Sequence, residues 1–187
     1  MSFRILIADD EPLIRRDLKE LIEEIGYEVV GEAKNGLEAL ALATRTKPDV
    51  IILDIKMPHM NGIEVARHIG EHFPLIVLTA YSKPDLVQQA RDAGVMAYLT
   101  KPFRRADISP ALELAVTHFV RQTKLTENVA RLDTQLKARK KIEKAKGLLM
   151  KKENLSEAAA YRQIQKMSMD KNLSILKVAE TIISQIG

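Results

Sequence analysis

Five short apolar runs, each followed by a stretch with helical periodicity, constrain this chain more than any other feature. They cover residues 3 to 9, 27 to 33, 48 to 54, 75 to 80 and 97 to 100, and most are rich in Ile, Leu and Val. Runs of this kind read as strands buried on both faces of a parallel sheet. After the first, Leu13, Ile14, Leu18, Leu21, Ile22 and Ile25 recur at helical spacing, with Gly26 just beyond. Asn35-Gly36 reads as a turn before a helix over residues 37 to 43. Asn61-Gly62 opens a third helix through Ile69, Pro84 stands in the first turn of a fourth that ends at Gly94, and a fifth begins near Asp107. Strand then helix, five times over with short connections, specifies an α/β fold with a five-stranded parallel, doubly wound sheet.

The sheet does not use up the chain. At 187 residues and 46% hydrophobic content there is enough for one good core and a second small module. Lys and Arg number 14 against 18 Asp and Glu in residues 1 to 120, 11 against 3 in residues 121 to 152, and 4 against 4 in the remainder. An acidic globular half is thus joined through a basic segment to a neutral tail, and the basic segment is a candidate polyanion contact. The chain has no cysteine, and its four histidines, His59, His68, His72 and His118, are scattered, which argues against zinc. No apolar stretch is long enough for a membrane span and the first residues do not resemble a signal peptide, so the expectation is a cytoplasmic protein.

The chemistry is expected where open α/β sheets keep it, at the C-terminal ends of the strands. Parallel strands would deliver Asp9, Asp10, Asp54, Thr79 and Lys101 to one rim. Three carboxylates brought together repel and need a cation, and a hard divalent ion with oxygen ligands, most plausibly Mg²⁺, meets that need. A phosphoryl group arriving at Asp54 would find the metal, Lys101 and Thr79 to neutralise its oxygens.

These residues, with Met57-Pro58 and Gly62 behind Asp54, Ala80 after Thr79, and Tyr98 ahead of Lys101-Pro102-Phe103, resemble the receiver domain of two-component response regulators. The resemblance covers about 120 residues. It implies strand order 2-1-3-4-5, with Asp54 as acceptor of phosphoryl from a sensor histidine kinase. It further implies Mg²⁺ held by Asp9, Asp10, Asp54 and the backbone carbonyl of Lys56, and a cis peptide bond at Lys101-Pro102. Thr79 and Tyr98 become the switch: Thr79 moves to the phosphoryl oxygen and the Tyr98 ring turns inward. Lys56 and Tyr81 stand where the family tunes phosphate lifetime, and neither is a water-positioning acid or amide, which implies slow self-dephosphorylation. No other enzymatic activity is implied.

From Asp107 no convincing breaker occurs until Asn154, because Pro110 falls in the expected first turn, so one long helix is predicted. Leu125, Val129, Leu132 and Leu136 form a short coiled-coil seam, suited to a dimer contact or to packing on the tail. Gly147, in the helix interior, suggests close approach of another backbone. Ser156 can cap a helix over residues 157 to 169, and Ser174 can cap a last one, giving a small all-α three-helix unit. The expected organisation is residues 1–120, a helical linker with a short coiled coil at 121–136, and a tail domain at 137–187.

The tail pattern Arg139, Ile142, Ala145-Lys146-Gly147, Leu149-Met150, then Ser156, Ala160-Tyr161, Met167-Ser168, Leu173, Val178-Ala179 and Ile182, resembles the ANTAR domain. That resemblance implies an RNA-binding module acting as a dimer on paired hairpins of leader transcripts in transcription antitermination. RNA contacts carry over to Arg139, Lys140, Lys144, Lys146 and Tyr161, and the whole reading is of a homodimer formed on phosphorylation. Two alternatives keep the same receiver. A DNA-binding regulator would need a recognition helix, yet the last helix holds only Lys177 as a cation; a protein-interaction regulator is the other.

Overall fold

The computed structural model describes residues 2–80 and 84–186; Tyr81 lies outside them. The chain divides into two compact units, Met1–Thr123 and Lys124–Gly187. In the first, β1 (Arg4–Ala8), β2 (Glu28–Ala33), β3 (Val50–Asp54), β4 (Leu75–Thr79) and β5 (Ala97–Thr100) form one parallel sheet in the order β2-β1-β3-β4-β5. The connections are α1 (Pro12–Glu24), α2 (Gly36–Thr46), α3 (Gly62–Ile69) and α4 (Pro84–Asp92), and α5 (Arg105–Glu153) follows β5.

Because side chains alternate across a strand, the sheet sorts its apolar residues into two cores. Leu6, Ala8, Ile51, Leu53, Leu75 and Val77 pack with α2, α3 and Ala90 of α4. Ile5, Ile7, Val50, Ile52, Ile76, Leu78, Ala97 and Leu99 pack with Leu18 and Ile22 of α1 and with Ile108 and Leu112 of α5. All five residues of β3 are buried, as are all five of β4, which is why these strands read as unbroken apolar runs.

Asn35-Gly36 is a helix start: Asn35 accepts a hydrogen bond from the Glu38 amide at 2.9 Å, the Glu38 carboxylate reaches the Lys34 amide, and Gly36 is already helical. Helix α3 begins with a full capping box between Asn61 and Glu64. Helix α5 starts earlier than Asp107, because that carboxylate accepts from the Arg104 amide at 3.0 Å and so occupies the third helical position. Pro110 consequently sits in the second turn and not the first.

In the second unit, the end of α5 packs with α6 (Glu157–Asp170) and α7 (Ile175–Ile186) around Ala145, Leu149, Ala160, Ile164, Val178, Ala179 and Ile182. Asn154 ends α5 in the left-handed conformation at φ 51°, and the Leu155 amide closes on the Met150 carbonyl, a Schellman stop made with asparagine. Ser156 caps α6 through the Ala159 amide and Ser174 caps α7 through the Lys177 amide, both at 3.3 Å. The seam residues Leu125, Val129, Leu132 and Leu136 are 59%, 65%, 60% and 52% exposed, so they do not serve the tail core. The expectation for Gly147 is overturned: a Cβ built there meets nothing within 4 Å. The residue faces open space, and no protein backbone approaches it. Among the described residues no helix is long and apolar enough to cross a membrane.

Candidate functional site

Strand periodicity builds the rim. Asp9 continues the face of Ile5 and Ile7, Asp54 that of Val50 and Ile52, and Lys101 that of Ala97 and Leu99, so three charged side chains emerge on the same side of the sheet. Lys101 Nζ lies 2.7 Å from Asp9 Oδ2 and 2.8 Å from Asp54 Oδ1, with Glu11 Oε1 at 3.7 Å. The second Asp54 oxygen accepts the Lys56 amide at 2.7 Å, and the second Asp9 oxygen accepts the Glu11 amide at 2.9 Å. Asp9, Asp54 and Thr79 are buried, while Asp10 is exposed. A cavity of about 420 Å³ opens here, lined by Asp10, Asp54, Lys56, Thr79, Ala80 and Lys101 among others.

Burial pushes the Asp54 carboxyl above the ordinary carboxylate range and Asp9 adds to this, outweighing the Lys101 ammonium and the Lys56 N–H, which act the other way. Burial works against the charged form of Lys101, but its hydrogen bonds to Asp54 and Asp9 prevail and hold its pKa above normal. The centre is therefore a firmly protonated amine clamped by two acids. Among the described residues no three acidic or histidine side chains converge as a metal-binding group.

Thr79 lines the same cavity as Asp54 and Lys101, and Tyr98 packs on the core formed with α2, α3 and α4. Its hydroxyl donates to the Val87 carbonyl of α4 at 3.0 Å, and burial raises its pKa. The Lys101-Pro102 peptide is cis. Sequence reasoning missed two contributors. Glu11 braces both Asp9 and Lys101, and Arg15 donates to the Asp9 carbonyl at 2.7 Å. One of two adjacent arginines on an amphipathic helix looks like part of its solvated face, so only the adjacency of α1 to β1 discloses that bond.

In the second unit a groove of about 760 Å³ is lined by Arg139, Ile142, Glu143, Lys146, Glu157 and Tyr161 among others. Arg139, Lys140 and Lys144 are exposed, and Tyr161 stands open at the groove. Lys146 is placed differently. It is 9% exposed, and its ammonium lies 2.6 Å from Glu143 and 2.7 Å from Glu157. Those two hydrogen bonds raise its pKa, and the bond from Lys146 lowers that of Glu157. Lys141 is likewise bound to Glu180 of α7 at 2.7 Å.

Comparison with known proteins agrees with this division of labour. The family model for the response regulator receiver domain matches residues 5–113, and the ANTAR domain model matches residues 130–183. The transcriptional regulatory protein PdtaR of Mycobacterium tuberculosis is 49% identical over 186 residues, covering 98% of this chain and 91% of that protein. Sporulation initiation phosphotransferase F of Bacillus subtilis is 37% identical over 116 residues, covering 60% of this chain and 93% of its own length. Among solved structures, the signal receiver domain of a modulated diguanylate cyclase from Desulfovibrio desulfuricans superposes with a TM-score of 0.61 at 26% identity, over 65% of this chain and 99% of that one. A LuxR-family response regulator from Aurantimonas gives 0.59 at 30% identity, over 69% and 99%. The chain belongs to the response regulators, with an N-terminal receiver domain and a C-terminal ANTAR domain.

Proposed function

We propose that this response regulator is a phosphorylation-controlled RNA-binding antiterminator. The observation that carries the reading is the union, in one chain, of a buried carboxylate clamped by lysine at a receiver rim and an ANTAR sequence beyond it. Asp54 attacks the phosphorus of a kinase phosphohistidine; the P–N bond breaks as the P–O bond forms, and the imidazole leaves. Lys101, already 2.8 Å from Asp54, supplies positive charge to the phosphoryl oxygens. Receiver domains conventionally bind Mg²⁺ at the phosphorylation site. Asp10, Asp54 and Lys56 line the cavity and offer oxygen donors, which suits that ion, whereas Asp9 is fully buried and held by Lys101. Asp9, Asp10, Asp54 and the Lys56 carbonyl would hold it once its charge draws together the three carboxylates, which do not converge among the described residues. The ion, when bound, supplies hard positive charge at the transferring group.

Thr79 then engages the phosphoryl group, the Tyr98 ring, now bonded to the Val87 carbonyl, turns inward, and the face formed by α4, β5 and α5 changes. The exposed seam from Leu125 to Leu136 pairs two copies, which bring two ANTAR domains to paired hairpins of a leader transcript. The chain promotes its own phosphorylation and slow dephosphorylation and turns over no other substrate. Its place is the cytoplasm, beside a sensor histidine kinase.

Gel shifts of the phosphorylated chain against a two-hairpin leader RNA and a palindromic DNA duplex test the output. RNA preference is expected. Preference for the duplex overturns the RNA reading, and binding to neither points to protein partners.

A further inference from the structure

Gly147 stands in the interior of α5, where glycine costs about 1 kcal/mol relative to alanine. Nothing in the protein uses the space that this glycine leaves, since a Cβ there would meet no atom within 4 Å. The residues around it are not neutral. Lys140, Lys144, Gly147 and Lys151 follow one another at intervals of three or four residues, so they share one face of the helix, and all three lysines are exposed. By the helical rise, Lys144 lies about 4.5 Å before Gly147 along the axis and Lys151 about 6 Å after it. The nearest acid on that side, Glu143, is already bound by Lys146 at 2.6 Å.

We infer that Gly147 is a notch in a lysine ridge, shaped to admit a phosphodiester of RNA against the helix backbone, with Lys140, Lys144 and Lys151 gripping that phosphate and its neighbours. The inference rests on the RNA reading above and changes its details. Lys151 joins the contact set, and Lys146 withdraws from it, acting instead to neutralise Glu143 and Glu157 beside the ridge. Glycine at this position then trades helix stability for close approach by a polyanion.

The test uses the full chain, activated with beryllofluoride, and an RNA of two stem-loops chosen by in vitro selection against the wild-type protein. Gly147→Ala is expected to raise the melting temperature yet weaken binding by at least about tenfold. Lys144→Gln and Lys151→Gln are each expected to lower the slope of log affinity against log salt by about one. Wild-type affinity in a stabilised Gly147→Ala variant overturns the notch while leaving the RNA reading intact. A lower melting temperature for that variant also overturns it, because the glycine would then serve the protein's own packing. Failure to select any RNA overturns the RNA reading itself.

Discussion

Lys101 Nζ lies 2.8 Å from Asp54 Oδ1 at the ends of two strands separated in the sheet by β4, and the same ammonium lies 2.7 Å from Asp9. One cation therefore compensates two buried acids. Lys101→Met removes it and leaves both carboxylates uncompensated, a situation that costs about 3 kcal/mol. The variant is expected to unfold at lower denaturant concentration at pH 7.5 and to recover part of the loss as pH falls toward the ordinary carboxylate range, since Asp54, whose pKa burial raises, takes up a proton. Equal stability at pH 7.5 would show that the clamp contributes nothing.

Asp54→Asn acts in the opposite sense. Since the folded-state pKa of Asp54 is raised, mainly by burial, the native protein prefers its protonated form, and that preference is lost as pH rises through the raised value. Asparagine stays neutral throughout. The variant is expected to melt above wild type at pH 7, with the gap closing as pH falls toward the ordinary carboxylate range, and to accept no phosphoryl group from a small-molecule phosphodonor.

For wild type, the same shift bears on the acid limb of self-phosphorylation. With the ionised Asp54 carboxylate as the proposed nucleophile, the rate with a small-molecule phosphodonor is expected to fall with decreasing pH earlier than an exposed aspartate would dictate. A rate–pH profile measures this; a limb at or below the exposed-aspartate value contradicts it.

Gly62 abuts the carbonyl of Asp54, and a Cβ on it would stand 2.2 Å from that oxygen. The obstacle is backbone at the end of β3, so either α3 or Asp54 must move. Gly62→Ala is expected to cost about 1–3 kcal/mol and to slow phosphorylation. Chemical denaturation and phosphodonor kinetics report the two effects separately.

The seam offers a test without a folding penalty. Leu132 and Leu136 are exposed, so Leu132→Glu with Leu136→Glu should leave the melting temperature of the unphosphorylated chain unchanged. In light scattering the beryllofluoride-activated wild type is expected to dimerise and the double variant to stay monomeric. A dimer in the double variant would place the contact elsewhere.

Much of this was legible because local rules and global fold agree. Unbroken apolar runs such as residues 50 to 53, closed by Asp54, fixed both the strands and the carboxylate at their end. Ser156, Ser174 and Asn61 marked helix starts through side-chain chemistry that needs no tertiary context. Asn35-Gly36 misled, since the same pair suits a turn and a capped helix start, and only the Glu38 bonds to Asn35 and Lys34 discriminate.

Sequence by itself determined that acids, a threonine and a lysine stand at the ends of four of the five strands, with a tyrosine inside the last, because apolar runs and the polar residues that close them are properties of the chain. Which of them meet was a matter for the tertiary structure. Sheet order sets β1, β3, β4 and β5 side by side, so that Lys101 meets both Asp9 and Asp54 and Thr79 lines the same cavity, and Arg15 reaches the Asp9 carbonyl only because α1 packs there. The basic helix shows the same limit. Composition counts Lys146 with its neighbours, but packing of α6 against α5 pairs it with Glu157 and leaves Gly147 open, a distinction that depends on what surrounds each residue in space.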